Sequence, residues 1–296
     1  MTAGLECAAP AKINLALHVT GRRADGYHLL ESLVVFSSYG DRLRVEPAEA
    51  DAFAVTGPFA EALQADESNL VLRARDLLRR HFRKAAEQPV ALKLEKKLPI
   101  ASGIGGGSSD AAAALGLLAR FWGIDIDAEE LKALGLQLGA DVPMCLSARP
   151  LLARGIGEVL EPLESFPSLP VLLVNPGLPL STPAVFAALM RRDNPPLPAL
   201  RHAGGIAEAA DWLRGTRNDL EAPALSLAPQ IGGVLSLLRS EGALTARMSG
   251  SGATCFGIFQ TQGEAVRAGE AIAAREPGWF VRATATTAST PEFSHV

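Results

Sequence analysis

Cysteine, aromatic side chains and long apolar runs are all scarce in this chain of 296 residues. Its three cysteines, Cys7, Cys145 and Cys255, lie far apart, include no Cys-x-x-Cys pair and have no histidines at metal-ligand spacing. Neither a disulfide framework nor a zinc module is read from them, and they are expected to be reduced and structural. No window approaches the ~20 apolar residues of a membrane span. The opening Met1-Thr2-Ala3-Gly4-Leu5-Glu6 lacks the basic segment and apolar core of a leader, so a cytoplasmic chain without a membrane partner is expected. A net charge of -4 leaves no basic excess for nucleic acid. The cluster Arg73, Arg75, Arg79, Arg80, Arg83 and Lys84 reads as the solvated face of a helix. No Gly-x-Ser-x-Gly elbow of a serine hydrolase occurs, and no internal repeat or low-complexity tract is evident.

The most informative segment present is Gly103-Ile-Gly-Gly-Gly-Ser-Ser109, which follows Leu98-Pro99-Ile100 and precedes the alanine-rich run Asp110 to Leu115. A glycine-dense loop feeding a helix brings backbone and unpaired N–H groups close to an anion, and the two serines can add hydroxyl donors. The P-loop pattern fails, because Ser108 stands where its second glycine is required and no lysine occurs between Gly103 and Arg120. The dinucleotide fingerprint fails at Ser108 as well. From these residues alone a phosphate cradle and a glycine hinge both stay open.

Elsewhere, β-forming residues cluster at Ile13 to Val19, Leu29 to Ser37, Asp41 to Val45, Phe53 to Val55 and Ala91 to Leu94. Helical patterns run from Ser68-Asn69 to about Lys84, from the glycine loop to about Trp122, and from Asp127 to Leu138 with Gly139 after it. These predict an α+β domain over residues 1–155. Over 156–296 we expect a strand at Pro170 to Asn175, a helix at Ala184 to Arg192, a surface loop over 194–205, and helices at Ile206 to Leu213, Ala224 to Ala228 and Ile231 to Glu241. Two strands then bracket a second glycine turn within 246–259. A helix at Glu264 to Arg275 and a strand at Trp279 to Thr284 complete a βαβ-type second domain.

Three separated segments, Pro10-Ala-Lys12-Ile-Asn14-Leu, Leu98 to Ala111 and Met248-Ser-Gly-Ser-Gly-Ala-Thr-Cys-Phe256, resemble in order and spacing the motifs of the GHMP kinase superfamily. Gly21-Arg-Arg-Ala-Asp-Gly-Tyr-His28 and Leu138-Gly-Ala-Asp-Val-Pro143 resemble its branch acting on 4-diphosphocytidyl-2-C-methyl-D-erythritol, in the non-mevalonate isoprenoid pathway. The resemblance spans nearly the whole chain. It implies a two-domain α+β fold with the active site in the cleft between domains, and an ATP-dependent kinase that phosphorylates the 2-hydroxyl of that acceptor. Magnesium would enter with ATP, since the sequence shows no metal cage of its own. The implied partner is a small molecule with a cytidine diphosphate head, and the chain would be a monomer or weak homodimer.

The resemblance also implies roles for individual residues. Asp141 would be the general base, assisted by Lys12, whose ammonium would ease loss of the hydroxyl proton. Read without it, Asp141 is a turn aspartate capping backbone N–H groups, and Lys12 is a solvated lysine. ATP phosphates would lie along Pro99, Ile100, Ala101, Ser102, Gly103, Ile104, Gly105, Gly106, Gly107, Ser108 and Ser109, with Asn69 and Lys97 nearer the nucleoside. Lys93, Lys96 and Lys97 can equally solvate a strand end. Asn14 would fix the acceptor, Tyr27 and Phe186 would sandwich cytosine, and His28 would meet its edge. Thr182 and Gly250 would line the substrate side. Ala101-Ser102 replaces two glycines of other members, and Asp110 replaces asparagine, adding negative charge near phosphate unless it points away. The nearest rivals are another kinase of the superfamily, such as homoserine kinase, and a non-catalytic metabolite sensor of the same fold.

Overall fold

A computed structural model describes residues 4–63, 66–200 and 203–288. It opens on a long hairpin of β1 (Leu5–Arg22) and β2 (His28–Pro47), joined by the turn around Asp25-Gly26. The two strands expected at Leu29 to Ser37 and Asp41 to Val45 are one strand, since β1 pairs along the whole length of β2. Register shifts interrupt that pairing between Pro10 and Lys12 and again between Asn14 and Ala16. Bulges of this kind bend a strand and re-aim its side chains, and these two bracket Lys12 and Asn14.

There follow β3 (Ala52–Thr56), α1 (Leu70–His81), β4 (Val90–Glu95), α2 (Gly106–Phe121), α3 (Ala128–Leu138), α4 (Val142–Ser147), β5 (Leu151–Gly155) and β6 (Val159–Pro162). Asn69 caps α1 by accepting from the Val71 N–H, and Asp127 caps α3 through the Glu130 N–H. Helix α1 stops at His81, short of Lys84. The hairpin β5–β6 and the helix α4 were not foreseen, because each is short and bounded by residues that also read as loop. Arg75 and Arg79 do not belong to a solvated face: both pair with Asp51, and the Arg79 guanidinium lies 5.3 Å from the Trp122 ring centroid.

The second half contains β7 (Pro170–Asn175), α5 (Thr182–Ala187), α6 (Ile206–Arg214), α7 (Glu221–Leu227), α8 (Gln230–Ser240), β8 (Thr245–Met248), β9 (Cys255–Ile258), α9 (Gln262–Arg275) and β10 (Phe280–Thr287). Helix α5 is shorter than the expected Ala184 to Arg192; Pro183 lies in its first turn, and the chain from Arg191 to Leu200 carries no regular element. Of the expected surface loop over 194–205, residues 201 and 202 lie outside the described residues. Strands β10, β7, β9 and β8 lie side by side in that order, each antiparallel to its neighbour. Hence β7 and β8 run parallel with β9 between them, and β9 and β10 run parallel with β7 between them. The βαβ expectation is met as two split units, the ferredoxin-like arrangement.

Strand β2 joins the halves. Along the edge away from β1 it pairs in turn with β5 at Leu30–Val34, with β10 at Phe36–Ser37 and with β4 at Arg42–Pro47. One hydrophobic cluster contains Ile13 and Leu15 of β1, Leu33 and Val35 of β2, Val171 and Leu173 of β7, and Phe256 and Ile258 of β9. The core is therefore continuous across the halves. Truncating Phe256, fully buried in β9, to alanine should destabilise the whole chain by about 3–5 kcal/mol, read as a lower urea midpoint with unchanged slope.

Candidate active site

The glycine loop becomes helix earlier than the sequence suggests. Helix α2 starts at Gly106, so Gly106, Gly107 and Ser108 form its first turn, and its preceding residue Gly105 is left-handed at φ 64°. A side chain at Gly105 would press on Lys12, whose Cβ lies 3.0 Å from the position such a carbon would take. Lys12 is held beside the loop by its own N–H, which donates to the Ile104 carbonyl at 2.9 Å. The N–H groups of that first turn have no intrahelical acceptor and carry the positive end of the helix dipole.

Asp141 immediately precedes α4 and makes no side-chain capping bond. Its carboxylate instead accepts from the Lys12 ammonium, Oδ2 to Nζ 2.6 Å. The Lys12 side chain is only 8% exposed, whereas that of Asp141 is 41% exposed. A nearly buried ammonium thus orients a carboxylate that stays open to the cavity. Ser109 is not available as a donor there, because its hydroxyl donates to the Pro10 carbonyl at 2.6 Å.

The second glycine turn, between β8 and β9, closes on the first. Gly103, at φ +78°, lies so near this turn that an added Cβ would fall 2.5 Å from the Ser249 carbonyl oxygen and 2.7 Å from the Gly252 nitrogen. The Ser249 hydroxyl donates to the Gly103 carbonyl at 3.0 Å and accepts from the Asn14 N–H at 3.1 Å. Asn218 fixes the turn from behind, its amide donating to the Met248 and Gly250 carbonyls, each at 2.8 Å. Thr182 and Ser251 share a hydroxyl contact of 2.7 Å, tying α5 to the same turn.

At the far end, His28 stacks on Phe186 with centroids 4.9 Å apart, while Tyr27 is 61% exposed. Burial, with Arg22 and Arg192 adding to it, lowers the His28 pKa and favours the neutral imidazole. The His28 Nε2 is buried without a partner, and so is the Asn14 Oδ1. Such atoms are costly to leave unmatched, which points to polar groups of a ligand at both.

Residues from each of these parts line one cavity of about 950 Å³, which brings together Lys12, Asn14, Tyr27, His28, Ala101, Ser102, Gly103, Gly105, Gly106, Gly107, Ser108, Asp141, Thr182, Phe186 and Gly250. Pro99, Ile100, Ile104, Ser109, Asn69 and Lys97 are not among its lining residues. Ile104 is buried in the core shared by the halves, Ser109 is turned to Pro10, and Lys97 pairs with Glu95. Asn69 lines an adjoining cavity of about 270 Å³ with Ser68, Leu70, Gly107 and Asp110. Among the described residues no cluster of three or more His, Cys, Asp or Glu could hold a metal ion, and no helix is long and apolar enough to cross a membrane.

Two segments match family profiles: residues 69–149 the GHMP kinases N terminal domain, and residues 197–277 the GHMP kinases C terminal. The chain is a GHMP kinase. It is 65% identical over 292 residues to the 4-diphosphocytidyl-2-C-methyl-D-erythritol kinase of Chelativorans sp. (strain BNC1), covering 99% of each chain. The enzyme of the same name from Mesorhizobium japonicum is 57% identical, with 96% of each covered. A crystal structure of 4-(cytidine 5'-diphospho)-2C-methyl-D-erythritol kinase superposes with a TM-score of 0.79 at 38% identity, over 96% of this chain and 100% of that one. As a GHMP kinase it is an ATP-dependent phosphotransferase.

Sequence reasoning missed three features of this GHMP kinase. Arg22 and Arg192 line the cavity beside His28, but an exposed arginine in a turn or loop carries no signal of its own. Asn218 was invisible because its targets are backbone carbonyls thirty or more positions away. The third is the pair Asp41 and Lys96, which with Asp110 forms a buried ionic cluster below the loop. Asp110 does not line the large cavity; its carboxylate is turned toward that lysine.

Because the two glycine turns touch backbone to backbone, Gly103→Ala should destabilise the fold and weaken nucleotide binding at least tenfold by titration calorimetry. Gly233→Ala, on an open face of α8, should instead leave binding intact and raise stability by about 0.5–1 kcal/mol.

Proposed function

We propose that this GHMP kinase transfers the γ-phosphoryl group of ATP to the 2-hydroxyl of 4-diphosphocytidyl-2-C-methyl-D-erythritol. The observation that carries the reading is the Lys12–Asp141 pair of 2.6 Å, which shares one cavity with the α2 N-terminus and with the orphaned His28 nitrogen. The names of the relatives, at up to 65% identity over nearly the full length, support the same acceptor.

Phosphoryl transfer passes through a loose, highly charged transition state, so positioning and electrostatics do most of the catalysis. The N–H groups of Gly106, Gly107 and Ser108 hold the nucleotide phosphates, and Mg²⁺ arriving with the nucleotide neutralises part of their charge. Asn69 and the neighbouring smaller cavity lie on the nucleoside side. Asp141 accepts the acceptor's hydroxyl proton, while the Lys12 ammonium holds the carboxylate in position and stabilises the developing alkoxide. Asn14 orients the acceptor through its unmatched oxygen.

Cytosine recognition falls to Tyr27, His28 and Phe186. His28 covers a face of Phe186, and a cytosine taking that face moves the imidazole to the base's edge, where a neutral ring can donate and accept. Arg22 and Arg192 at the same end complement the diphosphate charge.

Adenosine diphosphate release from MgATP, measured with the cytidylated acceptor beside homoserine and mevalonate, tests the assignment. Turnover is expected only with the first, and turnover with another acceptor instead would sink the cytosine reading. Asp141→Asn should lower kcat by about 10²–10⁴-fold with little change in KM. His28→Ala should raise KM for the cytidylated acceptor on the order of tenfold while kcat changes less, consistent with losing one hydrogen bond and a ring contact.

A further inference from the structure

Beneath the glycine loop lies a charge cluster that the transfer chemistry leaves unused. Lys96, 2% exposed, donates from Nζ to Asp41 Oδ2 at 2.5 Å and to Asp110 Oδ2 at 2.6 Å. The other oxygen of Asp41 accepts from the backbone N–H groups of Lys97 at 2.5 Å and Leu98 at 2.8 Å, so Asp41 is fully engaged. The other oxygen of Asp110 is buried and has no partner. Two carboxylates share one ammonium, which leaves a net negative charge out of reach of water. Asp110 belongs to α2, one helical turn beyond Gly106 and Gly107, and Gly107 borders both the large cavity and the small one that Asp110 lines.

We propose that Asp110 takes up a proton when nucleotide phosphates bind at the N-terminus of α2, so that ATP binding and protonation of this buried carboxylate are coupled. The inference rests on the reading of the glycine loop as the phosphate site. Oδ1 is the atom that accepts the proton, because a proton there neutralises the unmatched oxygen and leaves the Lys96 contact on Oδ2 intact. Both oxygens of Asp41, by contrast, already accept hydrogen bonds. Lys96 does not release a proton in its place: burial works against its charge, but Asp110 and Asp41 outweigh burial and raise its pKa. From α4 the Cys145 thiol feels the Asp110 charge weakly, and burial pushes it up to about 12, so it stays neutral. On the side of α1 the small cavity is bounded by Ser68, Asn69 and Leu70, none of which titrates.

Burial, reinforced by Asp41 and opposed by Lys96, pushes the Asp110 carboxyl up to about 7. An arriving polyanion raises it further, so binding draws a proton from solvent, and affinity falls as pH rises through and above about 7.

Calorimetry of a non-hydrolysable ATP analogue with excess Mg²⁺ tests the coupling. Titrations at pH 8 in buffers of different ionisation enthalpy should show net uptake of a fraction of a proton per nucleotide for the wild type. Asp110→Asn should show none, and between pH 7 and 9 the wild-type Kd should weaken by up to about tenfold relative to that variant, the effect of a one-unit shift. Binding with no buffer dependence in the wild type, a measurement that needs no variant, overturns the inference, as does equal uptake in Asp110→Asn. No binding at all overturns the phosphate-loop reading, and the inference with it.

Discussion

The site depends on one close approach, in which two glycine turns from opposite halves of the chain meet with backbone against backbone. No side chain fits between Gly103 and the Ser249-to-Gly252 turn. The Ser249 hydroxyl is the pin, joining the Gly103 carbonyl to the Asn14 N–H. Through that pin the strand carrying Lys12 and Asn14, the start of α2 and the turn between β8 and β9 share one frame. The bulges on either side of Lys12 and Asn14 let β1 supply both residues there without leaving its sheet.

Two lysine–carboxylate groupings lie close to the same helix start, and exposure separates their roles. Asp141 reaches the cavity with 41% of its side chain exposed, so its carboxylate is open to whatever the cavity holds. Asp110, 4% exposed and bonded to Lys96, does not line that cavity, so charge is the only route by which a ligand there could act on it. Proximity to a helix N-terminus alone does not distinguish the two carboxylates; access to the large cavity does.

Much of the fold was legible because its signals are local. Asn69 and Asp127 announce helix starts through their caps, and β7 coincides with the apolar run Pro170 to Asn175. The start of α2 is hard to place from sequence since glycine has poor helix propensity, and here three glycines straddle a helix N-terminus. The Lys12–Asp141 pair spans 129 positions, which no periodicity can show; motif resemblance alone joined them. Lys93, Lys96 and Lys97 look alike as sequence, yet only Lys96 is buried, because Asp41, 55 positions earlier on β2, receives it. Long-range charge pairing of this kind leaves no trace in a local window.

The shared edge of β2 bears on how ligands enter and leave. A hinge that swung the halves apart would have to strip β10 from β2 and open the core that β1, β2, β7 and β9 hold in common, so rigid-body opening is a costly route. The Tyr27 turn and the extended segment after α5 border the cavity without belonging to any sheet. Local rearrangement at that rim would open the cavity while leaving the shared sheet and the common core untouched.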